Sequence, residues 1–430
     1  MRQRAYKGEI TVFLSLIFVL VLSLVGALLQ SASAYTRAGM RRADMSIALE
    51  NVFAEYHKGM WENYGILARE MRSNTEITGR LEFYGAASMS HDVERIWRLT
   101  DGGGQAFYEQ AIQMMGGEVS WREEISDSTV EEQAKASEEA LEDILQQEDQ
   151  EMPKEDNPID TVKELKKSSL LALVHPDAET LSTKTLEVER LASHRELKKG
   201  NWAEFAECAA GIQEKVLFQE YLVSNFSCYS DGKTDGMLEY ELEYLLGGAG
   251  NDQKNLEKAA GKILLLRLAA NYGYLMQDQT KQAEAAAMAA TLSTLLTVPG
   301  ATTVVKQVLL FSWAYGESVV DLRVLFEGKK IPIVKTSDTW QLALSNLAKL
   351  GTDDETVSQV DGKKGMDYQG FLRMLLLSEK RETLCMRALD VMEWNLGIRA
   401  DDCIVGMEIR SSGRQPYIGM DTFRSRFRYD

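Results

Sequence analysis

Residues 8–29 read GEITVFLSLIFVLVLSLVGALL, and this stretch decides how the chain is organised. From Ile10 to Leu29 it contains no charged residue, no proline and one glycine. A helix of about 20 residues is roughly 30 Å long, which matches the hydrocarbon core of a bilayer. Basic residues flank the stretch on both sides: Arg2, Arg4 and Lys7 before it, and Arg37, Arg41 and Arg42 after it. The sequence therefore predicts a single membrane-spanning helix near the N-terminus.

A cleaved secretory signal peptide is the alternative interpretation of the same stretch. Ala32-Ser33-Ala34 has the small-x-small pattern that signal peptidase cleaves, which would release a secreted protein after Ala34. Two features argue against cleavage. The apolar run is longer than the roughly 7–15 residues typical of a signal peptide, and the acidic Glu9 lies where such peptides carry positive charge. We therefore favour a retained anchor.

The small and polar residues of the stretch share one face. At 100° per residue they fall within an arc of about 120°, and they are Thr11, Ser15, Ser23, Gly26 and Gln30. Small residues let helices approach closely in lipid, and hydroxyls can bond across the contact, so this face predicts packing against another membrane helix. Serine and threonine can instead bond back to the carbonyls of their own helix. Both interpretations stay open.

The composition is that of a globular protein and excludes one class of partner. The chain has 430 residues, of which 45% are hydrophobic and 26% charged, and its formal net charge is −17. That charge argues against nucleic acid as a partner, because phosphate neutralisation needs a basic surface. Between residues 118 and 164 there are 17 acidic and 4 basic residues. We interpret 117–165 as an acidic flexible insertion, with a cation-binding or partner-binding segment as the alternative.

The remaining patterns predict a mainly α fold with a small β component. Apolar residues at helical spacing after the span, among them Met45, Leu49, Val52 and Phe53, predict a stalk helix that continues to about residue 72. More helix is expected over 75–100, 340–350 and 368–395. Alternation over 237–246 predicts a strand, and the tail predicts a C-terminal hairpin. The expected divisions are 1–34 (leader and span), 35–116 (stalk and first helical part), 117–165, and 166–430 (helical domain with a small sheet).

Charged residues inside apolar helices are the candidates for a functional site: Arg267, Glu317, Asp321, Arg323, Arg387, Asp390 and Glu393. Glu317 and Asp321 are four residues apart and share a helix face, so they could act as an acid–base pair. A di-metal helix bundle needs Glu-x-x-His motifs, which are absent here. We therefore favour carboxylate–arginine bridges across a helical core, and we keep a cell-envelope enzyme as the alternative.

No motif assigns a catalytic residue, a cofactor or a metal. The sequence has no GxSxG, HExxH, phosphate-binding or dinucleotide-binding fingerprint. Cys208, Cys228, Cys385 and Cys403 are far apart and form no CxxC pair, so a zinc site is not expected. They could form disulfides outside the cell or lie buried as small hydrophobic residues, and the sequence leaves this open.

Lys7-Gly8-Glu9, the apolar run and the amphipathic stalk together resemble the N-terminus of type IV pilin-like proteins, in particular the TadE/TadG-like group of Tad pili. Segments 240–247 (YELEYLLG), 313–323 (WAYGESVVDLR) and 387–395 (RALDVMEWN) extend a resemblance to an uncharacterised family of exported proteins from Gram-positive bacteria. In a processed prepilin the glutamate follows the cleaved glycine by five residues, a place that Phe13 holds in this chain. A permanent anchor is therefore favoured over processing at Gly8.

The resemblance implies a location and a context. We expect a single-pass membrane protein with its N-terminus inside and the bulk of the chain extracytoplasmic. It would be a non-enzymatic component of a Tad-like pilus or secretion assembly, with membrane lipid and pilin-like proteins as partners.

Overall fold

The computed structural model describes residues 6–116, 169–175, 180–202, 211–232, 236–295, 302–351, 356–358, 362, 364–415 and 419–429. The expected acidic insertion at 117–165 lies outside them. The chain divides into two units. Unit 1 comprises Met1–Ala106, Leu197–Ala206 and Ile398–Asp430, and unit 2 comprises Phe107–Glu196 and Glu207–Gly397. The fold is mainly α with a short antiparallel sheet, as the sequence predicted.

Unit 1 begins with helix α1, Tyr6–Ala54, which runs without a break for 49 residues. The stalk was expected to continue to about residue 72, and that prediction is wrong. The helix ends at Ala54, and Arg69 of the returning chain forms a 2.6 Å ion pair with Glu55 just beyond that end. Helix α2, Lys58–Tyr64, and the two-residue strand β1, Arg69–Glu70, follow.

The helix expected over 75–100 is also shorter than predicted. Helix α3 spans Asn74–Leu81, and a π-type turn, Glu82–Ala86, follows it. Gly85 has a φ of 107°, which ends the helical path. Strand β2 then spans Ser90–Arg98, and helix α4, Asp101–Met115, begins in unit 1 and ends in unit 2.

Strand β3, Cys403–Gln415, organises the sheet. It pairs antiparallel with β1, with β2 and with strand β4, Gly419–Arg428. The expected C-terminal hairpin is therefore present, as β3 and β4, while residues 416–418 between its strands lie outside the described part of the chain. The partner strand expected at 237–246 does not exist, because most of that segment is helical.

The core of unit 1 lies between the C-terminal half of α1 and one face of the sheet. Met45, Leu49, Val52 and Phe53, which the apolar periodicity had picked out, are all buried there. They pack against buried residues from α3, β2 and β3 and the segments between them: Met71, Ile77, Leu81, Ala86, Met89, Ile96, Ile404, Met407 and Ile409. Packing of this helix face on the antiparallel sheet therefore accounts for the apolar residues at helical spacing.

Unit 2 is helical in its described residues. After α4, its helices are α5 (Leu170–Val174), α6 (Ile212–Asn225), α7 (Glu241–Gly247), α8 (Asp252–Gln277), α9 (Gln279–Leu295), α10 (Thr302–Phe326), α11 (Tyr368–Ser378) and α12 (Arg381–Leu396). Helix α10 packs against α8 and α9, and α7 packs against α8 and α12. The single helix expected over 368–395 is two helices, broken near Glu379. The helix expected over 340–350 is replaced by one 3-10 segment, Leu344–Lys349.

The alternating segment at 237–246 is the clearest error of the sequence prediction. Its residues 241–247 form α7, a helix with apolar and acidic side chains buried together. The glutamates face the backbone N–H groups of neighbouring segments instead of solvent. Alternation of apolar and acidic residues therefore reflects a helix enclosed on all sides.

Candidate functional site

The N-terminal half of α1 is long and apolar enough to cross a membrane. Its residues from Ile10 to Leu29 are exposed, apart from the half-exposed Gly26, and Phe13 and Leu20 illustrate this with exposed fractions of 64% and 68%. Within the described residues, nothing in the folded chain buries this half. An apolar surface of this size has to be covered by lipid or by another protein.

The predicted packing residues, Thr11, Ser15, Ser23, Gly26 and Gln30, lie along this exposed half. The hydroxyl of Ser15 donates to the carbonyl of Val12 at 2.8 Å, so this serine bonds back to its own helix. A Cβ added at Gly26 would meet no atom within 4 Å, so the face is open for an approaching helix at that point. The processing candidates Gly8, Glu9 and Ala34 all lie within the uninterrupted α1.

Four buried charges form a closed ionic network in unit 2. Arg267 of α8 lies 2.9 Å from Asp321 of α10. Lys335, which follows α10, lies 2.5 Å from Glu317 and 2.7 Å from Asp321. Two cations thus face two carboxylates in the interior, and the network joins α8, α10 and the segment that carries Lys335.

Neutral groups complete the network. Lys335 also donates to the carbonyl of Thr339 at 3.0 Å, which uses its third N–H. Glu317 accepts from the backbone N–H groups of Gln341 and Leu342 at 2.9 and 2.8 Å. Asn271 donates to Asp321 at 3.0 Å. Each charged atom has a partner, so the network leaves neither carboxylate open to a substrate.

The two carboxylates titrate differently because they face different charges. Burial raises the pKa of Glu317, and the single charge of Lys335 only partly opposes it. Burial would raise the pKa of Asp321 too, but Arg267 and Lys335 together outweigh burial and hold it below its ordinary value. The geometry is that of ionic bridges across a helical core.

The second candidate pair, Asp390 and Glu393 of α12, does not join this network. Asp390 accepts from the Ser193 N–H and from the Tyr244 hydroxyl, both at 2.8 Å. Glu393 forms a bidentate pair with Arg195 at 2.6 and 2.7 Å. The two pairs of carboxylates are therefore not brought together.

The remaining charged candidates hold backbone carbonyls. Arg387, half-buried on α12, donates to the Leu245 carbonyl of α7 at 2.6 Å. Arg323 on α10 donates to the Leu173 carbonyl of α5 at 2.9 Å. Both arginines thus tie helices together.

Glu243 on α7 is a buried acid that the sequence misassigned to an exposed face. Its carboxylate accepts from the Tyr229 N–H at 3.0 Å and from the Tyr368 hydroxyl at 2.8 Å. Its second oxygen has no hydrogen-bond partner among the described residues. Burial raises the pKa of Glu243 to about 7. Neutral donors therefore hold this acid in the core.

Metal and thiol chemistry find no support in the described residues. They contain no group of three or more His, Cys, Asp or Glu that could hold a metal ion. Cys228 and Cys385 are free and buried, Cys403 is buried as well, and Cys208 lies outside the described residues. Burial raises the pKa of Cys228 to about 12 and that of Cys385 further, so both stay protonated at neutral pH.

Sequence reasoning missed Lys335, the residue that closes the ionic network. No local signal marked it, because Lys335 directly follows Ile331-Pro332-Ile333-Val334, of which Ile333 and Val334 are exposed, and a lysine in such a place is ordinarily exposed too. Gln341 and Asn271 carried no local signal either. Their side chains contact Asp321 only because the chain path brings them there.

Comparison with known proteins gives one match. No curated protein and no solved structure matches the chain. DUF5702, described as a family of unknown function, matches residues 148–414, which is well over half of the chain. That range includes α7, α10 and α12, the helices with most of the buried carboxylates. The chain therefore belongs to the DUF5702 family of unknown function.

Proposed function

We propose that this protein is a membrane-anchored, non-enzymatic component of a Tad-like pilus or secretion assembly. Its N-terminus would lie inside and the rest of the chain outside the membrane. It would act through contacts of its membrane helix and stalk with pilin-like partners.

The division of α1 into two halves carries this proposal. Within unit 1, residues 10–29 are exposed, whereas Met45, Leu49 and Phe53 of the same helix are buried against the sheet. A rod that is solvated by lipid at one end and packed into a folded head at the other is the pilin-like arrangement. The TadE/TadG-like layout of the N-terminus supports the same interpretation.

Energetics favour retention of the rod in lipid. Moving one large apolar side chain out of water is worth about 1.5–3 kcal/mol. Of the 20 residues from 10 to 29, 15 are of this type, so their transfer into a bilayer outweighs the cost of ordering a long helix.

A non-enzymatic role is supported by the state of the best acid–base candidates. Glu317 and Asp321 are both 0% exposed and their oxygens are fully engaged. A general acid or base needs access to a substrate proton. These two carboxylates offer none in the described structure.

The proposal is tested with one variant that exchanges the membrane span and stays anchored, and with a second that loses the span. One variant replaces residues 10–29 with an unrelated leucine-rich span, and a second deletes residues 1–34. We expect pilin-like proteins of the same cell to co-purify with the native chain and to be lost from both variants. Equal recovery with the exchanged span would contradict helix-mediated contact. A native protein that is found in the soluble culture fraction and begins at Tyr35 would contradict anchoring.

A further inference from the structure

The β3–β4 hairpin of unit 1 runs alongside α1 and points back towards its apolar half. Arg42 of α1 lies 4.0 Å from Asp421 near the loop end of β4. Further along both elements, the rings of Phe53 and Phe427 stack at 4.3 Å. Between these two levels the helix advances about 17 Å and the strand about 20 Å, so the two run in the same direction.

The hairpin end is fixed to the helix by a close approach of side chain to backbone. Arg41 donates to the carbonyl of Arg414 at 2.7 Å. Its guanidinium lies against the backbone of Gly413, where an added Cβ would come within 2.8 Å of Nη1. The position of the hairpin along α1 is therefore set by contacts within unit 1.

These contacts place the hairpin end close to the surface of a bilayer that holds residues 10–29. Arg41 follows Leu29 by 12 residues, and at 1.5 Å per residue this is about 18 Å along the helix. The headgroup layer covers roughly the first 5–8 Å of that distance. The remaining gap of about 10 Å is comparable with a Debye length, so charge acts across it.

The exposed residues at this level have the composition of a membrane interface. The large apolar side chains of Tyr35, Met40 and Met420 are exposed by 80%, 61% and 65%. Arg37, Arg42 and Arg414 are exposed beside them. The nearby acids are Asp44, which is exposed, Asp421, which pairs with Arg42, and Asp92, which pairs with Arg410 at 2.7 Å. Aromatic and basic residues concentrate where proteins meet lipid headgroups, and this basic surface belongs to a chain with a net charge of −17.

We propose that residues 35–42 of α1 and the flanks of the β3–β4 hairpin, Arg414 and Met420, form a surface that binds anionic phospholipid headgroups. This surface would hold unit 1 upright on the bilayer, since basic side chains next to a membrane are attracted to anionic headgroups. The inference rests on the membrane anchoring of the proposed function.

The test measures how close the hairpin end lies to lipid in the full-length protein. A Met420→Cys variant carries an environment-sensitive fluorophore and is reconstituted into phosphatidylcholine vesicles with or without phosphatidylglycerol. Lipids with a spin label on the headgroup then quench the fluorophore. Arg426→Cys is the matched control, because it is exposed on the same face of β4 and lies six residues further from the hairpin end. Wild-type protein measures background labelling, since its described cysteines are buried.

We expect strong quenching at residue 420 in anionic vesicles, weaker quenching in neutral vesicles and little at residue 426. Arg37→Glu with Arg414→Glu should reduce quenching at residue 420 to the level in neutral vesicles, while Arg426→Glu should leave it unchanged. Equal quenching at both positions would overturn the inference. So would quenching at residue 420 that changes neither with the lipid charge nor with the two arginine-to-glutamate substitutions.

Flotation separates this inference from the proposed function. Protein that floats with the vesicles and resists alkaline extraction is anchored, so a missing signal at residue 420 then contradicts only the lipid-binding surface. Protein that does not float contradicts the anchoring itself.

Discussion

The Nζ atom of Lys335 lies 2.5 Å from Oε1 of Glu317, and both side chains are completely enclosed in unit 2. A buried lysine is costly unless its charge is compensated. Asp321 supplies a second carboxylate at 2.7 Å. This contact holds the segment after α10 against α10 itself. It also explains why Glu317 and Asp321, the best catalytic candidates in the sequence, stabilise the core instead.

Removing the lysine should be strongly destabilising. In Lys335→Met, Glu317 and Asp321 remain buried with only Arg267 to compensate them. Breaking a buried pair from one side costs about 3–5 kcal/mol. We expect a fall of this size in the free energy of unfolding, measured by urea titration in detergent with tryptophan fluorescence as the signal.

Lys329→Met is the matched control for this experiment. Lys329 also pairs with a glutamate, Glu327, at 2.6 Å, but both side chains are 52% exposed. Exposed pairs contribute about 0–1 kcal/mol. If the free energy of unfolding fell by the same small amount in both methionine variants, the buried network would stabilise unit 2 no more than a surface ion pair does. That result would contradict the expectation.

The segment that carries Lys335 depends on a glycine. Ile331 and Met366 form an isolated bridge, with N–H···O distances of 3.0 and 2.8 Å. Gly365 beside it has a φ of 119°, and an added Cβ would lie 2.0 Å from the Ile331 carbonyl oxygen. Gly365→Ala should therefore open the bridge and lower the free energy of unfolding by more than about 2 kcal/mol.

Gly328→Ala separates the clash from backbone strain. Gly328 also has a positive φ, 75°, but a Cβ there would meet nothing within 4 Å. In this variant, alanine would be strained by the left-handed backbone conformation, and the free energy of unfolding should fall by only about 1 kcal/mol. Thermal unfolding of both variants checks the difference, and equal losses would show that the close approach at Gly365 is unimportant.

Glu243 should make unit 2 less stable as the pH rises towards neutrality. Its folded pKa is about 7, against an ordinary value of 4.5 in the unfolded chain. Between these values the folded state holds one proton more than the unfolded state. The free energy of unfolding should then fall with rising pH, by up to about 1.4 kcal/mol per unit from this group.

Glu243→Gln removes this contribution while keeping the Tyr229 and Tyr368 hydrogen bonds available. Burial also raises the pKa of Glu241, Asp252 and Asp390, so wild type and variant both retain the slope from these three acids. The difference between the two urea-derived stability curves from pH 4.5 to 7 therefore reports Glu243 alone. Glu284→Gln, on the exposed face of α9, should parallel the wild type. Parallel curves for Glu243→Gln would refute the raised pKa.

Local patterns in the sequence predicted some elements well, for physical reasons. The apolar run of α1 and the alternating hydrophobic tail are local signals of length and period, and they predicted the rod and the hairpin. Glu317 and Asp321 stood out because they interrupt an apolar helix, and both are buried. Arg267 was among the candidates for carboxylate–arginine bridges, but its pairing with Asp321 and the contribution of Lys335 depend on the tertiary path and were not predictable.

The wrong predictions at β2 and at α7 also arise because tertiary contacts determine these elements. Strand β2 pairs with a strand far along the chain, as in the contact of Asp92 with Arg410, 318 residues later. No local window contains that information, so the sequence pattern at 90–98 favoured helix. In α7, apolar and acidic residues alternate, and burial on every side removes the contrast that distinguishes a strand from a helix.

The exposed face of α1 leads to the last prediction. Val19 lies between Ser15 and Ser23 on the small-residue face and is 60% exposed. Leu24 is similarly exposed, at 56%, and points roughly 160° away from the centre of that face. A photo-crosslinking amino acid at position 19 should capture another membrane helix in intact cells, because small residues at that face permit close approach. The same amino acid at position 24 should capture mainly lipid. Gly26→Ile should abolish the adduct at position 19 by filling the open face, and equal adducts from positions 19 and 24 would show that the helix has no preferred side.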